Sequence, residues 1–274
     1  MDRHPTIRGI AEQASRWPGV RRMLHARYER RFLAHDSTMQ NLYRGVFGSF
    51  DEAQSSIPAS LTQGYDNAAS AAFYRERTRR VFLNDYPMMW WLSHLFEAGS
   101  TSVFDLGGHI GIAYYAYQRY FRYPDRIQWQ VMDVPAVMEA GAAWAAKNDS
   151  LRRLRFTSQR NEASGVDILF AAGSLQYLDY TLVDMLNGLD RPPTHLLLNS
   201  VPIHMSESYF TVQNTGVSCC PYRVTAEREF VDGLRALGYV LHDRWENTDR
   251  QCDIPFHPTH SLDRYFGLYF SREA

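Results

Sequence analysis

Five short runs rich in β-branched and large apolar residues occupy 102–106, 127–132, 154–157, 166–171 and 194–201, and helix-patterned segments near 111–121, 135–147 and 179–189 fill the longer gaps between them. This alternation leaves little choice of fold. A helix between two strands returns the chain to the same end of the sheet, so successive strands run parallel. A parallel sheet must in turn be covered on both faces, which fits runs that are apolar nearly throughout. The expected class is α/β, and 274 residues, 45% of them apolar, suffice for one catalytic domain with an appendage.

The first third follows another pattern. Helices are expected near 8–34, 67–83 and 85–98, with Asn41-Leu-Tyr-Arg-Gly-Val-Phe-Gly-Ser-Phe50 and Gly64-Tyr-Asp-Asn67 as ordered loops punctuated by Gly and Asn. We read residues 1–98 as a helical N-terminal cap and 99–274 as the catalytic domain. Beyond Val201, Tyr209-Phe-Thr-Val-Gln213 reads as an inserted strand and Thr225 as the N-cap of a helix ending before Gly238. Segments 239–245 and 265–271 read as a closing antiparallel pair, giving a mostly parallel sheet of seven strands.

The first strand runs through Asp105-Leu-Gly-Gly-His-Ile-Gly111 into a helix. Strand, glycine turn and helix is the order that brings backbone close to a ligand at a sheet's switch point. Gly107 and Gly108 let the chain approach that ligand, and Gly111 permits close helix packing. The spacing is not the G-x-G-x-x-G of dinucleotide-binding proteins, which disfavours nicotinamide chemistry. Asp133 ends the second strand, where its two acceptor oxygens can hold both hydroxyls of a ribose; the competing reading is a helix cap before Val134 and Pro135. After the fourth strand comes Ala171-Ala-Gly-Ser-Leu-Gln-Tyr-Leu178, whose small Gly173 and Ser174 can face the ligand while Leu175 packs near its base, unless this is a plain strand-to-helix turn.

Charge excludes several functions. With 29 basic and 30 acidic side chains, no field of one sign favours nucleic acid or an anionic membrane. A small or neutral substrate fits better. Cys219, Cys220 and Cys252 make neither a disulfide framework nor a zinc spacing, so no metal is expected and a reducing cytoplasm is. The opening Met-Asp-Arg-His-Pro leads into polar sequence, and no stretch approaches the roughly 20 apolar residues of a membrane span. Arg21, Arg22, Arg27, Arg30 and Arg31 read as a solvated helix face or a partner contact.

The segments Tyr43 to Ala53, Gly64 to Asn67, Asp105 to Gly111, Trp129 to Gly141, Gly173 to Leu178 and Thr211 to Gln213 together resemble a family of largely uncharacterised S-adenosylmethionine-dependent methyltransferases, often associated with surface-saccharide gene sets. The glycine turn is similar to the Asp-x-Gly-x-Gly-x-Gly of class I methyltransferases, with His109 at the middle glycine, and Asp133-Val-Pro is similar to the Asp-Leu-Pro of small-molecule O-methyltransferases. The family usually carries Arg-Thr-Pro where this chain has Asn199-Ser-Val-Pro202, and Ser-Tyr-Pro where it has Ser218-Cys-Cys-Pro221. The resemblance implies a class I Rossmann-like sheet that holds S-adenosyl-L-methionine through Asp105, Gly107, Gly108, His109, Gly111, Asp133, Val134, Gly173, Ser174 and Leu175.

The implied reaction is O-methylation of a small molecule or saccharide, the cap closing over the acceptor and joining two subunits of a homodimer. N-methylation and a non-catalytic scaffold that merely binds the cofactor are the competing readings. Small-molecule O-methyltransferases place a histidine base just after the fourth strand, where this chain has Gln176. A base must then come from elsewhere, and His204 past the fifth strand is the first candidate, ahead of His257, His260 and His109. Tyr65, Gln176 and Tyr177 are candidate contacts to the acceptor, or else packing residues, and Cys219 and Cys220 read as packing residues.

Overall fold

The computed structural model describes residues 18–34, 41–67, 69–70 and 75–272. Helix α1 (Pro18–Leu33), strand β1 (Leu42–Phe47), the short α2 (Phe50–Ser55) and α3 (Tyr86–Glu97) precede the main alternation. There follow β2 (Ser102–Leu106), α4 (Ile112–Tyr117), β3 (Gln128–Met132), α5 (Pro135–Asn148), β4 (Leu154–Thr157), β5 (Ile168–Ala172), α6 (Leu182–Asn187) and β6 (His195–Val201). The chain ends with β7 (Ile203–His204), β8 (Tyr209–Asn214), β9 (Cys219–Ala226), α7 (Glu227–Ala236), β10 (Val240–Asn247) and β11 (Tyr265–Ser271).

The main sheet has seven strands in the order β10-β11-β6-β5-β2-β3-β4. The five from the alternating stretch are parallel, and β11 enters antiparallel between β6 and β10. This is the expected mostly parallel sheet of seven strands with an antiparallel closing strand. Its two cores follow from the two-residue period of a strand. Leu169, Ala171, Leu196 and Leu198 bury against Leu182 and Leu186 of α6 and Phe230 and Leu234 of α7. Val103, Trp129, Ile168, Phe170 and Leu197 point the other way, onto Met88 and Leu92 of α3 and Tyr114 and Tyr117 of α4. Each fully buried leucine or phenylalanine contributes about 1.5–3 kcal/mol, so both faces hold the sheet.

A second sheet of four strands, ordered β1-β8-β9-β7, continues from the end of β6 through Pro202. Residues 1–98 are therefore not wholly helical or irregular: the segment expected as an ordered loop at 41–50 contains β1, which pairs antiparallel with β8 in the register Tyr43↔Gln213. Gly45 (φ 72) lies where that register shifts, between Arg44 and Phe47, and this irregularity removes the alternation by which the strand could be read. Strand β9 was also unexpected. Thr225 belongs to it, and Ala226 rather than Thr225 is the N-cap of α7. The expected helix at 179–189 is shorter, with Thr181 as its N-cap, and that at 111–121 ends at Tyr117. Of the helices expected at 8–34 and 67–83, residues 8–17, 68 and 71–74 lie outside the described residues, while Arg75–Arg79 and Leu83–Asp85 are 3₁₀ turns. Among the described residues no helix is long and apolar enough to cross a membrane.

Candidate functional site

The chain after β2 turns over the carboxyl end of the sheet with positive φ at Gly107 (73°), His109 (56°) and Gly111 (87°). These are the three glycine positions of the methyltransferase pattern, so His109 occupies a left-handed position, which His tolerates better than most side chains. Two contacts hold it there: its N–H donates to Asp133 Oδ2 at 2.9 Å, and its Nε2 donates to the Ser70 carbonyl at 2.9 Å. Burial lowers the imidazole's pKa, with the Ser70 hydrogen bond and the Asp133 carboxylate opposing. At Gly108 the need is for space rather than φ, because an added Cβ would sit 2.3 Å from the Asp105 carboxyl carbon. A Cβ on Gly107 would meet that of Ser174 at 2.2 Å.

Asp105 is thus enclosed, accepting from Trp129 Nε1 at 3.0 Å. Burial pushes its pKa from the ordinary 3.8 to about 7, the Trp129 hydrogen bond opposing and the nearby Asp133 adding to the rise. The folded chain holds this proton more tightly than the unfolded one. The stabilisation is complete below pH 3.8 and is lost as pH rises through about 7. The Asp105→Asn variant is expected to show a flatter Tm profile than the parent across this range; thermal melts in which both chains trace parallel curves would refute the assignment.

Asp133 faces the cleft. Its Oδ1 accepts from the Val134 N–H at 2.8 Å and its Oδ2 from His109, which leaves each oxygen a second lone pair. The helix-cap alternative is answered by another residue: Asp66 of the Gly64-Tyr-Asp-Asn67 loop accepts from the Ala136 N–H, in the first turn of α5, at 2.7 Å. Asp133 remains available to a pair of hydroxyls. Across the cleft, Gly173 (φ 77) starts the turn after β5 and donates its N–H to the Asn199 carbonyl at 2.8 Å. Ser174 hydrogen-bonds the Leu106 carbonyl and so ties this turn to the glycine turn.

Two cavities meet along Gly107, Ile112, Ala172 and Ser200, with Arg77 and Arg250 lining both. The larger, about 450 Å³, is lined by His109, Met132, Asp133, Val134, Gly173, Ser174, Gln176 and Tyr177, and beyond them by an aromatic wall of Phe50, Tyr65, Tyr180 and Tyr265. The smaller, about 270 Å³, is lined by Asp105, Gly107 and Gly108 and by charges of both signs, Arg77, Arg80 and Arg250 facing Asp85 and Asp249. Burial raises the pKa of Asp85, which accepts from the Phe82 N–H at 2.8 Å. Asn247 also lines this lobe; it is 2% exposed, and its Oδ1 has no hydrogen-bond partner among the described residues.

Most of the residues singled out from sequence converge here. Tyr65 and Tyr177 meet edge to face, ring centroids 5.0 Å apart, and the Tyr177 hydroxyl donates to Gln213 Oε1 at 2.7 Å. Gln176 is 5% exposed; its Nε2 donates to the Gly173 carbonyl at 3.0 Å while its Oε1 has no partner among the described residues. Leu175 departs from expectation, packing into the core beside α6 rather than lining either lobe. Gly111 lies behind the turn as the N-cap of α4.

His204 is not brought to the cleft. Its Nε2 donates to the Thr259 carbonyl at 2.9 Å, and its Nδ1 accepts from the N–H groups of Ser206 (3.3 Å) and Glu207 (3.2 Å). Both ring nitrogens are spent on holding a loop, and the residue lines neither lobe, so the expected base is corrected to a structural role. His260 instead pairs with Glu207 at 3.2 Å, and His257 lines a separate hollow beside α1. The polar set of the smaller lobe was missed, because Arg77 and Asp85 come from one segment and Asn247 and Arg250 from another about 160 positions further on. One signal was available in Asn199-Ser200, where the usual Arg-Thr is absent. Ser200 (φ 55) is strained, and its Oγ accepts from Asn247 Nδ2 at 3.1 Å.

Solved structures similar to this chain include a 1,6-didemethyltoxoflavin N1-methyltransferase from Burkholderia thailandensis, crystallised with 1,6-didemethyltoxoflavin and S-adenosylhomocysteine, at 20% identity over 68% of this chain and 78% of its own, with a TM-score of 0.42. An O-methyltransferase family protein from the same organism matches at 17% identity over 76% of this chain and 60% of its own, with a TM-score of 0.47. Magnesium protoporphyrin IX methyltransferase from Synechocystis, crystallised with S-adenosylmethionine, matches at 11% identity over 76% and 93%, with a TM-score of 0.49. All three are methyltransferases. No family profile matches the chain, and no curated protein matches it in sequence.

Proposed function

We propose that the protein is an S-adenosylmethionine-dependent methyltransferase that methylates a hydroxyl of a small, largely uncharged acceptor. The observation that carries this reading is the two-lobed cleft centred on Gly107. In the larger lobe Asp133 offers paired acceptors to a vicinal diol. In the smaller, arginines, carboxylates and the unpartnered Asn247 Oδ1 suit the carboxylate and ammonium of an amino acid. A nucleoside joined to an amino acid spans both, and the glycine turn leaves it room where a Cβ would intrude.

When bound, the cofactor supplies a methyl group on a sulfonium sulfur, which carries its own leaving group. The chain's task is then position and exclusion of water. The aromatic wall of Phe50, Tyr65, Tyr180 and Tyr265 can flank a ring-shaped acceptor, and Gln176 Oε1 can accept its hydroxyl proton in a hydrogen bond without removing it. Among the described residues His109 is the histidine that lines the cleft, and its Nε2 is committed to Ser70. This reading favours hydroxyls acidic enough to ionise near neutral pH, phenolic or enolic rather than alkyl. Gln176 at the base position also supports the second reading, a non-catalytic cofactor-binding protein.

Calorimetric titration tests the first step: saturable binding of S-adenosylhomocysteine without binding of NAD is expected, and the reverse pattern would sink the proposal. Incubation with labelled S-adenosylmethionine and a panel of phenols, enols and saccharides then divides enzyme from scaffold. Since His204 serves only its loop, His204→Ala is expected to retain cofactor affinity and turnover within about twofold. A loss of turnover beyond tenfold in a folded variant would restore it as a base.

A further inference from the structure

Behind Gln176 lies another hollow, about 280 Å³, which shares that residue and Tyr180 with the larger lobe of the cleft. Its floor is apolar, formed by Leu182 and Val183 of α6, Val201, and Phe230 of α7. Three of its lining residues carry a buried polar atom with no hydrogen-bond partner among the described residues: Gln176 Oε1, Tyr180 Oη and Arg223 Nε. Buried polar groups are nearly always paired, and three exceptions around one hollow call for an explanation.

Arg223 is the cation among them. Its guanidinium lies over the Phe210 ring, 4.9 Å from the centroid, and among the described residues its one hydrogen bond runs from Nη2 to the Leu178 carbonyl at 3.4 Å. No carboxylate lies within ion-pair distance of it among the described residues, although Asp184 and Glu229 line the same hollow. Those two carboxylates already have local partners, since Asp184 closes the capping box of α6 with Thr181 and Glu229 accepts from Ser208 Oγ. A guanidinium has five N–H donors arranged as a fork that fits a carboxylate.

We propose that this hollow is a second binding site, for a small monocarboxylic acid with an apolar body. The carboxylate meets Arg223 and the Tyr180 hydroxyl, and the body lies on Leu182, Val183 and Phe230. Asp184 and Glu229, which with Asp179 act on the Arg223 charge, set the charge class, because they repel a dianion such as phosphate more than a monoanion. Gln176 and Tyr180 belong to both this hollow and the acceptor lobe, whereas Arg223, Val183 and Phe230 line this hollow alone, so a substitution at Arg223 separates this proposal from the adenosylmethionine reading.

The test uses the full chain and hexanoate as probe. In ¹H–¹³C methyl spectra, hexanoate is expected to shift Leu182 and Val183 saturably, with hexan-1-ol binding at least about tenfold more weakly, as befits loss of a charge-assisted hydrogen bond. Arg223→Met, which keeps apolar contact with Phe210, is expected to weaken hexanoate by about tenfold or more while S-adenosylhomocysteine affinity stays within about twofold. Tyr180→Phe gives a smaller loss and, with the wild-type comparison of hexanoate and hexan-1-ol, decides the matter if Arg223→Met does not fold. Equal binding of acid and alcohol, shifts elsewhere, or no saturable shift would overturn the proposal.

Discussion

Asp133→Ala is expected to lower the affinity for S-adenosylhomocysteine by on the order of 10² to 10⁴-fold. Each hydrogen bond to a charged group contributes about 1.5–3 kcal/mol, and two ribose hydroxyls would lose their partner together. The same carboxylate holds the N–H groups of His109 and Val134, so the substitution also loosens the glycine turn. Asp133→Asn keeps one carbonyl acceptor but turns its NH2 toward one of the two N–H groups, so it is expected to lose affinity by about tenfold to a hundredfold together with a drop in Tm. Calorimetry on both variants is the check, and affinity unchanged within threefold in Asp133→Ala would remove this residue from the cofactor site.

A second large effect is expected at the glycine turn, and it is one of stability. Gly108→Ala forces a methyl group to within 2.3 Å of the Asp105 carboxyl carbon, and that carboxyl cannot swing aside because Trp129 Nε1 binds it in a site only 1% exposed. Overpacking of this severity costs about 3 kcal/mol or more, which lowers Tm by about 6–12 °C in a chain of this size class or prevents soluble expression. Gly238→Ala is the comparison. That residue has φ +85° with nothing within 4 Å, so the cost is confined to backbone strain of about 1 kcal/mol. Differential scanning calorimetry of the two variants should show the larger drop for Gly108→Ala; equal drops would mean that φ, not contact, dictates the glycine.

The same distinction between local and distant causes explains what could be read from the sequence. Strands β2, β4 and β11 have the expected bounds because each is set by its own apolar residues, buried on the faces that periodicity predicts. The glycine turn and Asp133 were legible because strand, turn and helix are neighbours in the chain. Asp66 was not, since nothing near it reveals that it serves the first turn of α5, 70 positions ahead. Nor was the role of His204. Its place beyond the carboxyl end of β6 was right, but β7 pairs with β9 at Ile203↔Thr225 and the ring bonds Thr259, a residue 55 positions away. The arginines and carboxylates of the smaller lobe are ordinary surface residues until the fold gathers them.

Strand β1 carries a consequence for how the molecule is made. Asn41, just before it, bonds Gln213 across 172 positions of chain. At synthesis rates of about 5–20 residues per second, the segment waits roughly 10–30 s for the strand it must pair with. Through that interval it is an unpaired edge, and its Arg44 and the kink at Gly45 make it a poor template for wrong partners. Among the described strands, the first to be synthesised waits the longest for its neighbour.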